Sequence, residues 1–461
     1  MLRRTLLVSA MAVAITACSQ TPAPSTNATL ATAESKVAGV NSAPNIIFLI
    51  GDGTGFEFIS AYRYAHSEIG QPLIETPFDD MLVGAATTYP DDDTWVTDSA
   101  ASATALATGV KSYNGAIGVD SAQHPQQTLM EKARQHGWLT GAVSTSQVTH
   151  ATPASFFTHH PSRSMYNAIA DSFASTKFGA QDELWSFDVL LGGGMSYFKR
   201  DDKDWLPELR NQGMTIVDDY QALEATEQLP VLGLFAPVAL PYAVDDQPRL
   251  AQLTRNALRL LTAKQDESGQ PFALMIEGSK IDWCGHANDI ACAVHEVGDF
   301  AAALQVAKDY QAQHPNTLIV VTADHSTGGL TLGQGGEYAW YSERVMAIEN
   351  SLEVLVGGLL ERSRDEWRDY LAPRLNLALS EQQWQQLLAT EMSGSEDRKD
   401  HEKRIHQALV ALISEVTRTG WTTSGHTAVD VPIMASGPYA EQLRGYKDNT
   451  DIAKVLLQIV R

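Results

Sequence analysis

Seven side chains able to bind a cation are scattered along the chain: Asp52, Glu277, Asp282, His286, Asp324, His325 and His426. Carboxylate and imidazole are donors that zinc and magnesium accept, and a catalytic zinc site takes three protein ligands and keeps one position open. Singly, each residue has a plainer reading, because an aspartate after a strand commonly shapes a turn and a histidine commonly satisfies a local hydrogen bond. Their settings say more. Asp52 sits in Gly51-Asp52-Gly53 after one apolar run, Asp324 and His325 in Ala323-Asp324-His325 after another, and Asp282-x-x-x-His286 precedes a helical pattern.

A candidate nucleophile lies in the segment running from Val96 through Thr97, Asp98, Ser99 and Ala100 to Leu106, a polar turn leading into an alanine-rich helix former. Ser99 at a helix start can simply cap it. A phosphate is equally well placed there, because unpaired backbone N–H groups and the helix dipole favour an anion. Serine is a weak nucleophile that needs a base or a metal, and no Gly-x-Ser-x-Gly elbow surrounds Ser99. Metal activation is what remains.

The elements that must position these residues can be read from hydrophobic patterning. Asn45–Ile50, Phe272–Ile276 and Thr317–Thr322 are apolar without polar alternation, the mark of strands covered on both faces. Helical patterns at Gln126–His136, Leu250–Asp266 and Ala291–Gln313 alternate with them. That order predicts an α/β fold, a three-layer sandwich whose central, mostly parallel sheet is flanked by helices. Each apolar run ends in acidic residues or histidine, and the carboxyl ends of parallel strands are where such folds place their sites. The stretch from about Gly333 to Trp421 breaks the pattern and reads as a helical insertion, with helices at Glu343–Glu361, Leu379–Met392 and His401–Thr419 and a capping box at Ser380. It would lie over the site or at a subunit interface, although ordinary packing explains its Trp and Leu spacing as well.

The 461 residues carry 44% hydrophobic and 19% charged side chains, ordinary for a globular enzyme, and a formal net charge of −22. Such a charge without a basic run after residue 4 argues against nucleic acid as a partner. An anionic substrate would be repelled by the whole molecule and drawn only by a local cationic site. At the N-terminus, Arg3 and Arg4 precede an apolar stretch from Leu6 to Ile15, too short to span a bilayer. Ile15-Thr16-Ala17-Cys18 resembles a bacterial lipobox, which makes residues 1–17 a signal peptide and Cys18 the lipidated residue, with cleavage after Ala33 as the alternative. Residues 18–44, rich in Ser, Thr, Ala and Pro, read as a flexible tether before a single domain at 45–461. Ser19 resembles the sorting signal for the outer membrane, so the expected location is the periplasmic face, with a lipid anchor as the only membrane contact. Cys284 and Cys292 are an even pair in an oxidising compartment, open to a disulfide or to two free thiols.

Taken together these segments resemble the alkaline phosphatase family from about Asn45 to Pro438. The resemblance is carried by Asn45 to Gly53, Asp98-Ser99-Ala100-Ala101-Ser102-Ala103-Thr104-Ala105, Thr108 to Gly115, Ala151-Thr152-Pro153-Ala154, Ser162-Arg163, Glu277 to Asp282, Thr322 to His325, and Gly425-His426-Thr427. It implies hydrolysis of small phosphate monoesters through a phosphoserine on Ser99. It assigns one zinc to Asp282, His286 and His426, a second to Asp52, Asp324 and His325, and a magnesium to Asp52, Thr152 and Glu277. Arg163 would clamp phosphate oxygens and Asp98 would orient Arg163. The resemblance also implies a homodimer.

Two positions depart from the best-known bacterial pattern. His150 stands where some members carry aspartate near magnesium, and Trp283 where some carry lysine, a variant that resembles marine and animal members. Magnesium affinity and water-mediated phosphate contacts should differ accordingly. The competing readings are a phosphodiesterase on the same metal frame and a lipoprotein that binds metal or phosphate without turnover. A sulfatase is disfavoured because Ser99 is followed by Ala-Ala-Ser rather than x-Pro-x-Arg.

Overall fold

The three apolar runs lie side by side in the middle of a ten-stranded sheet in the computed structural model, which describes residues 43–178, 184–390 and 397–461. In chain order the strands are β1 (Asn45–Gly51), β2 (Leu82–Thr87), β3 (Leu139–Gln147), β4 (Val189–Gly193), β5 (Thr215–Val217), β6 (Val231–Leu234), β7 (Phe272–Gly278), β8 (Thr317–Ala323), β9 (Val431–Ser436) and β10 (Gly445–Asp448). Across the sheet they run β10-β2-β9-β8-β1-β7-β3-β4-β6-β5. Only β9 runs antiparallel to its neighbours, so the sheet is mostly parallel as expected. The signal peptide, Cys18 and nearly all of the tether lie outside the described residues.

The sheet divides two apolar cores, and β1 shows why its sequence lacks alternation. Ile47 and Leu49 face one core with helices Leu250–Ser268 and Ile290–Gln313, while Ile46, Phe48 and Ile50 face the other with helices Ser99–Thr108, Leu129–Gln135 and Asn449–Ile459. A strand buried on both faces has no solvent side on which to place polar residues. Residues Ser42–Arg461 cluster into one compact unit.

Register turns this arrangement into a site. Gly51 at the end of β1 pairs with Ala323 of β8 on one side and Gly278 of β7 on the other. The residues at or just past these ends, Asp52, Glu277 and Asp324, are therefore neighbours although they lie far apart in the chain. Gly53 follows with φ +67, and a Cβ there would meet the Asp282 backbone at 2.8 Å, so only glycine lets the Asp52 turn pack against Asp282.

The insertion is built from more pieces than its periodicity suggests. The single helix expected at Glu343–Glu361 is two, Ser342–Met346 and Leu352–Leu360, because Asp245 accepts the Ser351 N–H and Asp289 the Leu352 N–H, drawing the chain out of helix between them. A helix at Trp367–Leu375, missed because Pro373 lies inside it, follows. Ser380 does form a capping box with Gln383, at the head of helix Glu381–Leu388, and Arg398–Thr417 is the long helix. The expected end of the Ser380 helix at Met392 lies outside the described residues. A two-residue ribbon, Thr331–Leu332 with Thr419–Gly420, closes the base of the insertion.

Candidate active site

Ser99 begins helix Ser99–Thr108, whose N-cap is Asp98: the Asp98 carboxylate, not the Ser99 hydroxyl, accepts the Ala101 N–H. The serine is thereby released from capping, the plainer role open to it. Its Oγ is buried 3.2 Å from His325 Nε2 and 3.4 Å from Asp52 Oδ1. Ser102, one turn on, donates to the Asp324 carbonyl at 2.7 Å and ties this helix to the end of β8.

Asp52, Asp324 and His325 are fully buried and offer ligand atoms within 4.8 Å of one another. Asp324 Oδ1 accepts the Gly53 and His325 N–H groups, leaving Oδ2 free of hydrogen bonds. Burial, reinforced by the surrounding carboxylates of Asp324, Asp282 and Glu277, pushes the Asp52 carboxyl well above the usual range. Burial, with Asp282 and Glu277 adding to it, likewise pushes Asp324 up to about 8, while burial lowers His325.

Asp282, His286 and His426 form a second group at the rim. His286 Nε2 lies 3.2 Å from Asp282 Oδ2 and 3.0 Å from His426 Nε2, which is 3.5 Å from Asp282 Oδ1. Each ring's Nδ1 meets a carbonyl, His286 with Ser424 at 2.6 Å and His426 with Thr97 at 2.8 Å. A carbonyl can only accept, so both rings carry a proton on Nδ1 and direct Nε2 inward; without a metal the His286 Nε2 holds a second proton toward Asp282, and losing it leaves the lone pair a metal-binding histidine needs. Burial opposes ionisation of Asp282, but hydrogen bonding from His286 and the nearby imidazoles hold its carboxyl below the usual range; the same bond lifts His286 to about 9. The His325 and His426 rings stack at 3.6 Å, so the two groups adjoin.

A third group joins Asp52, Glu277 and His150, all buried, with Thr152 on the adjoining helix Ala151–Phe157. Ser144 and Ser279 both donate to Glu277 Oε2, at 2.7 and 2.6 Å, and leave Oε1 unpartnered. Asp52 Oδ2, Glu277 Oε1, Asp324 Oδ2 and Thr152 Oγ1 are all buried without a hydrogen-bond partner. Unpaired buried carboxylate oxygens are costly, and converging ones are what cations satisfy. The donor set therefore fits metal ions.

Arg163 spans the gap between Asp98 and His150. Its Nη1 donates to Asp98 Oδ2 and its Nη2 to His150 Nε2, each at 3.0 Å. Burial and the adjacent guanidinium hold His150 down at about 3, a neutral imidazole. Trp283 packs edge-on to that ring at 6.0 Å. Cys284 and Cys292 are joined in a disulfide, with Cα atoms 5.5 Å apart, bracing helix Lys280–His286 against helix Ile290–Gln313. Every site residue expected within the described chain thus lies in this region. Sequence reasoning missed the supports: Thr327, whose hydroxyl bonds Asp282, Ser144 and Ser279 on Glu277, and Asn114, whose side chain accepts from the Asp98 N–H at 2.6 Å. Thr327, two residues after His325, offered a weak positional signal; the serines offered none.

The profile of the alkaline phosphatase family matches residues 43–461. The chain belongs to the alkaline phosphatase family. Alkaline phosphatase 3 of Bacillus subtilis is 41% identical over 91% of this chain and 90% of its own length. The alkaline phosphatase of Schizosaccharomyces pombe is 32% identical over 91% of this chain and 82% of its own. Among solved structures, a cold-active alkaline phosphatase from a psychrophilic Shewanella superposes with a TM-score of 0.82 at 40% identity, over 90% of this chain and all of that one. For the alkaline phosphatase of the Antarctic bacterium TAB5 the TM-score is 0.65 at 28% identity, over 91% and 98%. As a member of this family the chain is a metal-binding hydrolase.

Proposed function

We propose that Ser99 is the nucleophile in hydrolysis of phosphate monoesters, held for that role by Asp98 at the helix start and by Asp52 and His325 around its hydroxyl. The observation that carries this reading is the Ser99 Oγ, freed from capping and buried 3.2 Å from His325 Nε2. The oxygen attacks phosphorus in line, the ester oxygen departs as the alcohol, and the chain holds a phosphoserine. Water then adds to phosphorus from the vacated side, the Ser99 oxygen leaves, and phosphate is released. Arg163 presents a planar fork to the equatorial phosphoryl oxygens, kept in place by Asp98, which suits a transition state whose charge spreads over those oxygens.

Two zincs belong in this reading, one on Asp282, His286 and His426 and one on Asp52, Asp324 and His325, with magnesium on Asp52, Thr152 and Glu277. When bound, these cations supply Lewis acidity for the attacking hydroxyl, the departing oxygen and the water. The orphaned carboxylate oxygens and the inward-facing imidazole nitrogens support that division.

Export and lipidation at Cys18, on the periplasmic face of the outer membrane, belong to the same reading and are supported by the Ile15-Thr16-Ala17-Cys18 motif. Homodimerisation belongs to the same reading and is supported by membership of the alkaline phosphatase family. Fatty-acid labelling lost in Cys18→Ser and a two-subunit mass by sedimentation are the expected results.

The deciding experiment is hydrolysis of a chromogenic phosphate monoester at alkaline pH before and after chelation. Activity lost on chelation, restored by zinc and raised further by magnesium is expected. A folded, metal-loaded protein that cleaves diesters but not monoesters would sink the reading.

A further inference from the structure

We infer that Asn288 is a positioning residue for the Asp282–His286–His426 group: its side-chain amide ties helix Lys280–His286 to the loop leading into His426 and so sets the spacing of the two imidazoles between which a cation would sit. The inference rests on reading those three residues as a zinc-binding set.

Asn288 stands two residues past His286 with φ +52, and its N–H donates to the Gly285 carbonyl at 3.0 Å. Helices commonly end on such a left-handed residue, and asparagine adopts that conformation more readily than most. Ending the helix, however, takes only the backbone. The side chain reaches further, with Nδ2 donating to the Gly285 carbonyl at 3.0 Å and to the Thr423 carbonyl, 135 residues away in the chain, at 2.9 Å. Because both partners are carbonyls, the amide must present its nitrogen, and its two N–H groups are both used, one on each element.

The next carbonyl in the chain, that of Ser424, accepts from His286 Nδ1 at 2.6 Å. Only one residue's two soft torsions separate consecutive peptide planes, so holding the Thr423 carbonyl limits where the Ser424 carbonyl can point. Two residues on from Ser424, His426 directs its Nδ1 to the Thr97 carbonyl at 2.8 Å. Thr422, Thr423 and Ser424 are exposed, which leaves hydrogen bonds to hold the segment. On one side the Gly328 carbonyl accepts the Thr422 and Thr423 N–H groups at 3.0 and 3.2 Å, and on the other stands Asn288.

Asp282 and His286 thus ride on the helix and His426 on the far end of the loop, and the amide bridge relates the two before any ion arrives. Ligands already in place bind a cation more tightly than ligands it has to gather, since their ordering cost is met in advance. Asp52, Asp324 and His325 are placed by β1 and β8 instead, so loss of the bridge should fall on one group alone.

The test titrates zinc out of the purified holoenzyme with a competing chelator, counting zinc per chain for the wild type, His286→Ala, Asn288→Gly and Asn288→Ala. His286→Ala marks which class of zinc belongs to the rim. Both Asn288 variants lose the bridge, but glycine keeps the left-handed backbone at no strain, whereas alanine strains it. Each is expected to weaken the rim zinc about tenfold, the lower end of the range for losing a support of a metal ligand, with the buried class unmoved. Monoester hydrolysis should fall at limiting zinc and recover in excess zinc, and only Asn288→Ala should melt at a clearly lower temperature. A residue that merely ended the helix would show no change of zinc affinity in Asn288→Gly. The inference is overturned by rim zinc as tight in Asn288→Gly as in the wild type, or by equal weakening of both classes. Asn288→Gly decides it alone if Asn288→Ala does not fold. Failure of His286→Ala to lose any class of zinc overturns the zinc reading and this inference together; loss of zinc in His286→Ala but not in Asn288→Gly overturns this inference only.

Discussion

The Asp52–Asp324–His325 and Asp282–His286–His426 groups meet at the stacked rings of His325 and His426 yet are built in opposite ways. Asp52, Asp324 and His325 stand at the ends of central strands with no exposed surface, while the His286 side chain, on a short helix, is 41% exposed. The buried group is positioned by the sheet and carries unpaired carboxylate oxygens; the rim group is positioned by hydrogen bonds from its rings to loop carbonyls and satisfies itself by pairing Asp282 with His286. On the proposed reading, one half holds the Ser99 hydroxyl away from solvent at a cost in folding stability, and the other keeps an exposed face by which an alcohol would leave and water would enter. Rigidity and access are thus assigned to different elements.

The largest effect should come from the buried half. Ser99→Ala is expected to lower kcat by roughly 10³-fold or more while retaining its metals, checked by monoester hydrolysis beside elemental analysis; unchanged turnover would remove Ser99 from the mechanism. Arg163→Ala should lower kcat/KM by about 10²-fold, the usual scale for losing one charge-stabilising donor, and should weaken product inhibition by phosphate in parallel.

At the rim, where the imidazole rings are held by loop carbonyls, damage should be milder and reversible. His286→Ala is expected to lose zinc by about 10- to 100-fold in affinity and to recover activity in excess zinc, measured by titrating zinc into chelated protein. Asp324→Ala, by contrast, should resist rescue, because the Asp324 carboxylate also holds the Gly53 and His325 backbone. Equal rescue of both variants would erase the distinction between the two halves.

Metal removal should expose both halves to pH in the same direction. Asp324 is lifted from 3.8 to about 8 in the fold, and His286 from 6.5 to about 9. A group whose folded value is the higher one contributes stability below its unfolded pKa and loses it as pH rises through the folded value. The chelated protein should therefore melt at progressively lower temperature from pH 6.5 to 9, and saturating zinc and magnesium should flatten the slope. Smallest of all, Cys284→Ser with Cys292→Ser should cost about 2 kcal/mol, the scale of closing a loop this short, seen as a modest drop in melting temperature with the fold retained.

Patterning made the central strands legible because burial on both faces leaves no room for polar alternation, and Asp52, Glu277, Asp324 and His325 were legible because they close or directly follow those strands. The insertion was read less well: Ser351 and Leu352 break the expected helix through carboxylates of Asp245 and Asp289, 106 and 63 residues earlier in sequence respectively, and no local signal marks so distant a bond. The supports of the site were illegible for the same reason, since Ser144, Ser279 and Thr327 are unremarkable polar residues until the register of β3, β7 and β8 brings them against Glu277 and Asp282.

By itself, the sequence determined which chemistry is possible here: the metal-ligand residue types, a serine at a helix start and the strands that end in acids. Those are local properties, decided by side-chain chemistry and by periodicity within a dozen residues. Only the tertiary structure decided how the groups are shared: that Asp98 relieves Ser99 of capping, that His325 adjoins both the Asp52–Asp324 and the Asp282–His426 ligand clusters, and that one histidine, His150, lies against both an arginine and a cluster of carboxylates. Sharing is a matter of angstroms between residues far apart in the chain, and parallel strand register, set by the packing of two cores, is what fixes those distances.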